Sequence, residues 1–224
     1  MSERSHDTSR IREIYNRLAP DWDRREGAGE RALIGDHLRR ALASELRGDV
    51  LELGTGTGTT LQYVDWDRGR VTSFTATDLS PGMLEQARRR HGTAGRAITF
   101  QEVDASALPY PDASFDTVTT SLMLCTVPDP ERTLREMSRV TRSDGRIVIL
   151  EHVRAPNPIL ACIQRVLTPL QVRRMGCHLD RPTDALVRSM GFPIERHERR
   201  FLSIFHLLVF RPLPPGRSPE PGTA

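Results

Sequence analysis

The sequence predicts an α/β fold in which seven strands form a doubly wound sheet that ends in an antiparallel hairpin. Apolar, β-branched segments alternate with amphipathic segments from residue 49 to residue 153, the pattern of βαβ units that build a parallel sheet. A glycine-rich loop lies inside the stretch LELGTGTGTT at 51–60, directly after the first apolar run. Near the C-terminus, two strand-like segments are separated by a short turn, which requires antiparallel pairing.

Each element follows from local periodicity and from residues that favour helix ends. Ser80 suits a helix N-cap, Pro81 the first helical position and Gly92 the residue after the last turn. Pro20 ends the first helix. The predicted strands comprise residues 49–54, 71–78, 97–104, 117–124, 145–153, 194–201 and 203–210. The predicted helices comprise residues 8–18, 35–46, 81–91, 130–140, 157–170 and 182–191, and a further helix begins after the glycine loop.

Composition and charge favour a protein with a small-molecule substrate over several other classes. No apolar run approaches the roughly 18 residues of a membrane helix, and the first ten residues lack an apolar signal region. We therefore expect a cytoplasmic protein without stable membrane insertion, as a monomer or homodimer. All 32 basic residues are arginine, yet the net charge is only +3. Most arginines stand beside acids, as on solvated faces, so we predict no nucleic-acid partner.

The three cysteines, Cys125, Cys162 and Cys177, are too widely spaced for a zinc pattern. We predict no metal site and interpret each cysteine as a small buried hydrophobe.

The glycine loop narrows the choice of ligand. A P-loop needs a lysine, which this chain lacks, so a Walker-type nucleotidase is excluded. A dinucleotide fingerprint places its third glycine where Thr59 stands, so a nicotinamide-dependent oxidoreductase is an imperfect match that stays open. Asp78 ends the second strand, where a carboxylate can accept hydrogen bonds from ribose hydroxyls. The loop therefore favours an adenosine-type ligand at the carboxyl edge of the sheet.

Four segments in order resemble the motifs of class I S-adenosylmethionine-dependent methyltransferases, in particular the ubiquinone/menaquinone-methyltransferase-like group. They are VLELGTGTG, ATDLSPGMLEQAR, VDASALPYPDASFDTVTTSLML and LREMSRVTRSDGRIVILEH. The resemblance covers roughly residues 10–210. It implies a Rossmann-like fold with N-terminal lid helices, S-adenosyl-L-methionine as cofactor and S-adenosyl-L-homocysteine as product.

The resemblance also assigns cofactor-binding roles to residues at the strand ends. It implies that the methionine part of the cofactor is held by Glu52, Gly54, Thr55, Gly56 and Gly58. It further implies that Asp78 binds the ribose, that Leu79 or Met83 packs on the face of the adenine, and that Asp104 and Ala105 contact the adenine amine and ring. Ser121 and Leu122 would line the methyl-transfer site. The segment IYNRLAPDWD at 14–23 is similar to the lid of the family, with Tyr15 over the cofactor. We divide the chain into a lid and linker at 1–34, a methyltransferase domain at 35–211 and a disordered tail at 212–224.

A narrower resemblance concerns the acceptor. The segments TSLMLCTVPDPERTLREMSRV, LEHV and GCHLDR resemble the methyltransferase-like-7 thiol S-methyltransferases of animals and bacterial phosphatidylethanolamine N-methyltransferases. The predicted reaction is S-methylation of a thiol metabolite or natural-product intermediate. The alternatives are N-methylation of an amine or phospholipid head group, O- or C-methylation in natural-product biosynthesis, and, from another class, a non-catalytic cofactor-binding partner subunit.

The candidate catalytic residues are His152, at the end of the fifth strand, His178 in GCHLDR, and Tyr15, which also counts as a substrate contact. His152 is either a base or a strand-end histidine held by a hydrogen bond. Arg181 either binds a substrate carboxylate or phosphate or braces its loop. We expect Asp180 to cap the following helix and Cys177 to pack in the core.

Overall fold

The central sheet of the computed structural model has seven strands in the order β3-β2-β1-β4-β5-β7-β6. The strands are β1 (Gly48–Leu53), β2 (Val71–Asp78), β3 (Ile98–Glu102), β4 (Phe115–Ser121), β5 (Thr141–His152), β6 (Ile194–Arg200) and β7 (Phe205–Phe210). β1 to β5 pair in parallel, whereas β7 runs antiparallel to both β5 and β6. The predicted fold class, including the antiparallel last hairpin, is confirmed.

Seven helices flank the sheet in the described part of the chain, which comprises residues 3–25, 27–92 and 95–214. They are α1 (Glu3–Leu18), α2 (Trp22–Arg25), α3 (Gly27–Glu45), α4 (Pro81–His91), α5 (Pro130–Val140), α6 (Pro158–Met175) and α7 (Thr183–Ser189). Gly35 breaks α3 with a φ of 70°, at the predicted border between linker and domain. Most of the predicted tail, from residue 215 onward, lies outside the described residues.

The two faces of the sheet carry separate apolar clusters because alternate strand residues point to opposite sides. In β5, Ile147 and Ile149 belong to the cluster under α5 and α7, and Val148 and Leu150 to the cluster under α3. β5 is therefore buried on both faces, as expected for a parallel sheet covered by helices. No helix among the described residues combines the length and apolarity that a membrane span requires.

One of the predicted helices is wrong. The segment after the glycine loop forms only a 3₁₀ turn, Thr60–Gln62, and Gly58, just before it, has a positive φ of 82° that a regular α-helix does not allow. Gly92 follows α4 as predicted and has a right-handed φ of −68°. At the other end of α4, the Ser80 side chain accepts a hydrogen bond from Met83 N, the predicted cap.

Candidate active site

A cavity of about 530 Å³ opens at the carboxyl edge of the sheet, under the N-terminal helices. This edge is where doubly wound folds bind their ligands. The cavity contains most of the residues that the sequence assigns to the cofactor. They are Glu52, Gly54, Thr55, Gly56, Asp78, Leu79, Met83, Asp104, Ala105, Ser121 and Leu122. The candidate residues Tyr15 and His152 line the same cavity.

Glycine is required at positions 54, 56 and 58 of the loop for different structural reasons. All three have positive φ angles, 66° at Gly54, 57° at Gly56 and 82° at Gly58. A Cβ on Gly54 would lie 2.5 Å from the Met123 side chain, whereas a Cβ on Gly56 would meet no protein atom within 4 Å. Gly56 therefore leaves open space in the wall of the cavity. A Cβ on Gly58 would lie 2.7 Å from the His91 ring, so Gly58 permits packing against His91. Gly58 is not among the residues that line the cavity, and its contact with a cofactor stays a prediction.

Asp78 is positioned to accept hydrogen bonds from a ribose. Its Oδ2 accepts from Gly56 N and its Oδ1 from Ser80 N, each at 2.8 Å. Burial raises the pKa of Asp78 to about 6. Because each carboxylate oxygen has a further lone pair, both can accept from a diol in the cavity. This donor and acceptor pattern fits the ribose of an adenosine cofactor.

Glu52 lies one strand away from Asp78 and is almost completely buried. Its Oε2 accepts a hydrogen bond from Thr55 Oγ1 at 2.6 Å. Burial raises the pKa of Glu52, although the hydrogen bond from Thr55 opposes the rise. The glycine loop is thus tied to the carboxylate that precedes it, which fixes the part of the cavity wall assigned to the methionine moiety.

Hydrogen bonds fasten the N-terminal helices to the cofactor part of the cavity. Asn16 Oδ1, on α1, accepts from Ser80 Oγ at 2.7 Å and from Gly82 N at 3.0 Å. Thr57 Oγ1, in the glycine loop, donates to Asp23 Oδ1 at 2.8 Å. These contacts connect the predicted lid with the starts of two cofactor-binding segments.

The same helices place two aromatic rings in the cavity wall. The Tyr15 and Trp22 rings are tilted, with centroids 5.5 Å apart. Burial raises the pKa of the Tyr15 phenol, and the nearby charges of Cys125, Cys177 and Asp78 raise it further. Tyr15 therefore lies within electrostatic reach of both the ribose carboxylate and the two cysteines.

Cys125, His152 and Cys177 form a polar cluster in the wall of the cavity. His152 Nε2 lies 3.2 Å from Cys177 Sγ. A hydrogen bond from Cys125 lowers the pKa of Cys177 to about 5 against the effect of burial, and His152 lowers it further. The same hydrogen bond, together with burial, raises the pKa of Cys125. Burial opposes the charged imidazolium of His152, but the hydrogen bond and charge of Cys177 outweigh it and raise the His152 pKa.

This cluster was missed in the sequence, where Cys177 was interpreted as core packing. The three residues come from three chain segments, the loop after β4, the end of β5 and the turn after α6. The available signal was their position, since Cys125 and His152 both lie at or just after the carboxyl ends of adjacent strands. The spacing of cysteines along the chain could not reveal the cluster.

His178 and Arg181 are absent from the cavity wall, where catalysis by His178 or substrate binding by Arg181 would place them. His178 N donates to Cys125 O at 3.0 Å, and its neighbour Cys177 takes the cavity position instead. Burial and Arg181 lower the pKa of His178. Arg181 braces its loop, because its Nη1 donates to Val127 O at 2.9 Å and to Leu124 O. Burial of this guanidinium lowers its pKa.

Asp180 does not cap α7, which begins after Pro182 without a side-chain cap. The Thr168 hydroxyl, on α6, donates to Asp180 Oδ1 at 2.9 Å instead. The GCHLDR segment therefore holds the end of α6, the loop after β4 and the cavity wall together.

Two buried polar groups near the ends of β4 and β5 complete the site. Ser121 Oγ lines the cavity and has no hydrogen-bond partner among the described residues, so it is free to meet a ligand. Glu151 Oε1 accepts from Met123 N and Leu124 N, each at 2.7 Å, which orders the loop that carries Cys125. Burial raises the pKa of Glu151 to about 7.

The described acids in the cavity wall are Glu52, Asp78 and Asp104, all on the side of β1 to β3. On the side of β4 and β5, the cavity wall instead contains the hydroxyl of Ser121, the thiols of Cys125 and Cys177 and the imidazole of His152. β5 lies three strands from β2, which separates Asp78 from His152 by roughly 14 Å at about 4.8 Å per strand. The cavity thus has an acidic half, suited to a cofactor, and a half with soft donor atoms.

Known proteins share sequence with this chain. The family model described as a methyltransferase domain matches residues 51–149. A phosphatidylethanolamine N-methyltransferase of Cereibacter sphaeroides is 32% identical over 152 residues, covering 66% of this chain and 72% of that protein. A demethylmenaquinone methyltransferase of Deinococcus radiodurans is 32% identical over 173 residues, covering 74% of this chain and 70% of that protein.

Solved structures share the fold at lower sequence identity. A chain from the complex between the Haloferax volcanii Trm112 methyltransferase activator and a methyltransferase superposes with a TM-score of 0.68 at 19% identity. The match covers 88% of the chain described here and 97% of the archaeal chain.

Proposed function

We propose that this chain, which belongs to the class I S-adenosylmethionine-dependent methyltransferases of the ubiquinone/menaquinone-methyltransferase-like group, methylates the sulfur of a small-molecule thiol. It is an S-adenosylmethionine-dependent enzyme acting on a small molecule. Membership of this family argues against the two other functions considered, a nicotinamide-dependent oxidoreductase and a non-catalytic cofactor-binding subunit. The identity of the acceptor atom is the proposal.

The cofactor half of the cavity fits S-adenosylmethionine, which supplies a methyl group already activated on a sulfonium sulfur. Asp78 would bind the ribose hydroxyls, and Glu52 with the loop at Gly54 and Gly56 would hold the methionine part. Asp104 would face the adenine. The protein contributes position and exclusion of water, because the activated methyl group makes strong acid catalysis unnecessary.

One observation carries the proposal of a thiol acceptor. The half of the cavity opposite Asp78 contains Cys125, His152 and Cys177, and no carboxylate side chain of the described residues lines it. An aliphatic alcohol needs a strong base or a metal before it can attack a methyl group. A thiol has a pKa of about 8.5, so it is partly thiolate near neutral pH without a dedicated base.

The lining of this half also suits a sulfur atom, which forms weak hydrogen bonds and packs well against apolar groups. Leu122, Met123 and Leu179 contribute apolar surface beside the cluster. His152 remains our candidate for the side chain that contacts the acceptor, and Tyr15 for the side chain that covers it.

Amine N-methylation is the second candidate, favoured by a different observation. The Tyr15 and Trp22 rings, 5.5 Å apart, offer π-faces to a cationic group in the cavity. A relative that is 32% identical is named for N-methylation of phosphatidylethanolamine. An ammonium acceptor bound against these rings would have to lose a proton before it could react.

An acceptor panel tests both candidates. The full-length enzyme is incubated with S-adenosylmethionine and, separately, with alkyl and aryl thiols, primary amines, phenols and a quinol, and methylated products are identified by mass spectrometry. We expect methyl transfer to thiols and not to the phenols. Methylation of amines or of quinol carbon, without any thiol product, would refute the proposal, and Asp78→Ala, which should bind S-adenosylmethionine more weakly, serves as the low-activity control.

A further inference from the structure

The Cys125, His152 and Cys177 cluster has the geometry of a metal-binding site. Each residue offers one ligand atom, and the three atoms lie within 4.8 Å of one another. His152 Nε2 and Cys177 Sγ are 3.2 Å apart. A tetrahedral zinc site with Zn–S bonds of about 2.3 Å and Zn–N bonds of about 2.0 Å places its ligand atoms about 3.5 to 3.8 Å apart. The cluster therefore needs only small side-chain shifts to surround an ion.

We propose that these three residues bind a zinc ion whose fourth position opens into the cavity. Two thiols and an imidazole are the donors that zinc prefers, whereas magnesium and calcium require oxygen ligands. All three residues line the cavity, and the described residues supply no fourth ligand atom to the cluster. Three protein ligands with one open position characterise catalytic rather than structural zinc sites.

The chain holds the ligand loops in place without the ion. His178 N donates to Cys125 O at 3.0 Å, which joins the two loops that carry the cysteines. Arg181 binds the carbonyl groups of Leu124 and Val127 on either side of Cys125. The His152 ring also hydrogen-bonds to the backbone of Leu179, the type of outer contact that orients metal-bound histidines.

A second group, Asp184, His197 and His206, also lies within 4.8 Å but is satisfied without an ion. Arg188 donates to His197 Nδ1 at 2.7 Å, so the hydrogen of that ring is on Nε2, which faces His206 Nδ1 at 3.1 Å. His206 Nε2 in turn donates to Ser203 O at 3.2 Å. This chain of hydrogen bonds leaves no lone pair on His197 for a cation, so the group serves as an internal negative control.

The role of the ion rests on the proposed thiol acceptor. A thiol that enters the open position forms a Zn–S bond, its proton passes to the zinc-bound hydroxide, and the resulting water leaves. The acceptor is then held as a thiolate in the soft half of the cavity. The sulfur lone pairs that remain are available for attack on the methyl group.

Metal binding is tested separately from activity. The purified enzyme is freed of metal with a chelator, kept reduced with a phosphine, and titrated with Co²⁺ and then Zn²⁺. We expect one equivalent of Co²⁺ with the sulfur-to-cobalt charge-transfer absorption and visible bands of tetrahedral coordination, and displacement by one equivalent of Zn²⁺. Elemental analysis of the untreated enzyme is expected to show zinc.

Variants identify the ligands. Cys125→Ser and Cys177→Ser should lose the charge-transfer absorption and bind zinc more than about 100-fold more weakly, beyond the 10- to 100-fold effect of an outer-shell partner. Cys162→Ser, which alters an exposed cysteine on α6, and His197→Ala should bind as the wild type does. Titration with S-adenosylhomocysteine verifies that each variant is folded. Stoichiometric binding that survives both cysteine variants, or no binding to the wild type, would overturn the site.

A final measurement separates this site from the proposed function. Adding 2-mercaptoethanol to the Co²⁺ enzyme should shift the charge-transfer band, and ethylene glycol should not. If Co²⁺ binds to the cluster and the thiol leaves the spectrum unchanged, the role in acceptor binding is refuted while the metal site stands. If the acceptor panel shows no thiol methylation, the Co²⁺ titration still decides the metal site by itself.

Discussion

Replacing Asp78 with asparagine separates the charge of this side chain from its shape. In the wild type, Gly56 N and Ser80 N each donate to one carboxylate oxygen at 2.8 Å. Asparagine retains one oxygen and turns its NH₂ group toward either Gly56 or Ser80, so one backbone donor and one ribose hydroxyl lose their acceptor. A hydrogen bond to a charged group contributes roughly 1.5–3 kcal/mol, which corresponds to about 10- to 150-fold in Kd.

The same residue makes cofactor binding depend on pH. Burial raises the pKa of Asp78 to about 6, so the carboxylate is mostly protonated at pH 5 and mostly ionised at pH 7.5. Because the ionised form is the better acceptor, affinity is full well above pH 6 and falls as the pH drops through this value. The ionised fraction falls to roughly one tenth at pH 5, so the Kd should rise about tenfold.

Calorimetric titration with S-adenosylhomocysteine at pH 7.5 and pH 5 measures both effects. We expect the Kd of Asp78→Asn to be raised at pH 7.5 and nearly equal at the two pH values. Burial also raises the pKa of Glu52, so Glu52→Gln is the control that should keep the pH dependence due to Asp78. Circular dichroism at pH 5 verifies folding. The reasoning is refuted if the wild-type affinity does not change with pH, or if Asp78→Asn retains the wild-type dependence.

Three further predictions follow from the site. Gly54→Ala should lower the free energy of unfolding more than Gly56→Ala does. Alanine at either position must adopt a left-handed backbone, at a cost of roughly 1–2 kcal/mol, but only at Gly54 would its Cβ also clash with the Met123 side chain. Urea denaturation measures the difference in stability. Arg181→Ala should cost about 1–3 kcal/mol of stability, because the carbonyl groups of Leu124 and Val127 lose their donor. His152→Ala should lower turnover, although by less than the about 100-fold typical of a lost general base, because a thiol is partly ionised without one, and His178→Ala should leave turnover nearly unchanged, with cofactor affinity retained in both.

Each of these predictions has an outcome that contradicts it. Equal stability of the two glycine variants would show that the Met123 side chain moves away at no cost. A fully stable Arg181→Ala would mean that water replaces the guanidinium. Similar turnover of both histidine variants would place the acceptor away from His152.

Much of the fold was predictable because local pattern and global topology agree. The β-branched run at 71–78 forms β2 with these bounds, and the short turn near residue 202 produces the antiparallel pairing of β6 with β7. Ser80 and Asp129 cap their helices as their side chains suggest. The helix expected after the glycine loop failed because three positive φ angles in five residues oppose regular helical geometry.

The cofactor half of the site was also predictable, since its residues belong to continuous motifs at strand ends. The acceptor half was not, because it is assembled from separate segments. Nothing in GCHLDR shows which of its polar residues faces the cavity. The left-handed turn at Gly176, with a φ of 69°, precedes Cys177, which takes the cavity position, while His178 stays out of the wall.

The position of β7 has a consequence for synthesis of the chain. β7 is buried at all six positions and inserts between β5 and β6, both of which leave the ribosome before it. Until residues 205–210 emerge, the nascent chain exposes the apolar edge of β5 from Ile147 to His152 without a partner. Unpaired apolar edges recruit other chains, so this is the interval in which the nascent protein is most prone to aggregate. The strand that ends this exposure also pairs with His152, so the acceptor half of the site is among the last parts of the molecule to form.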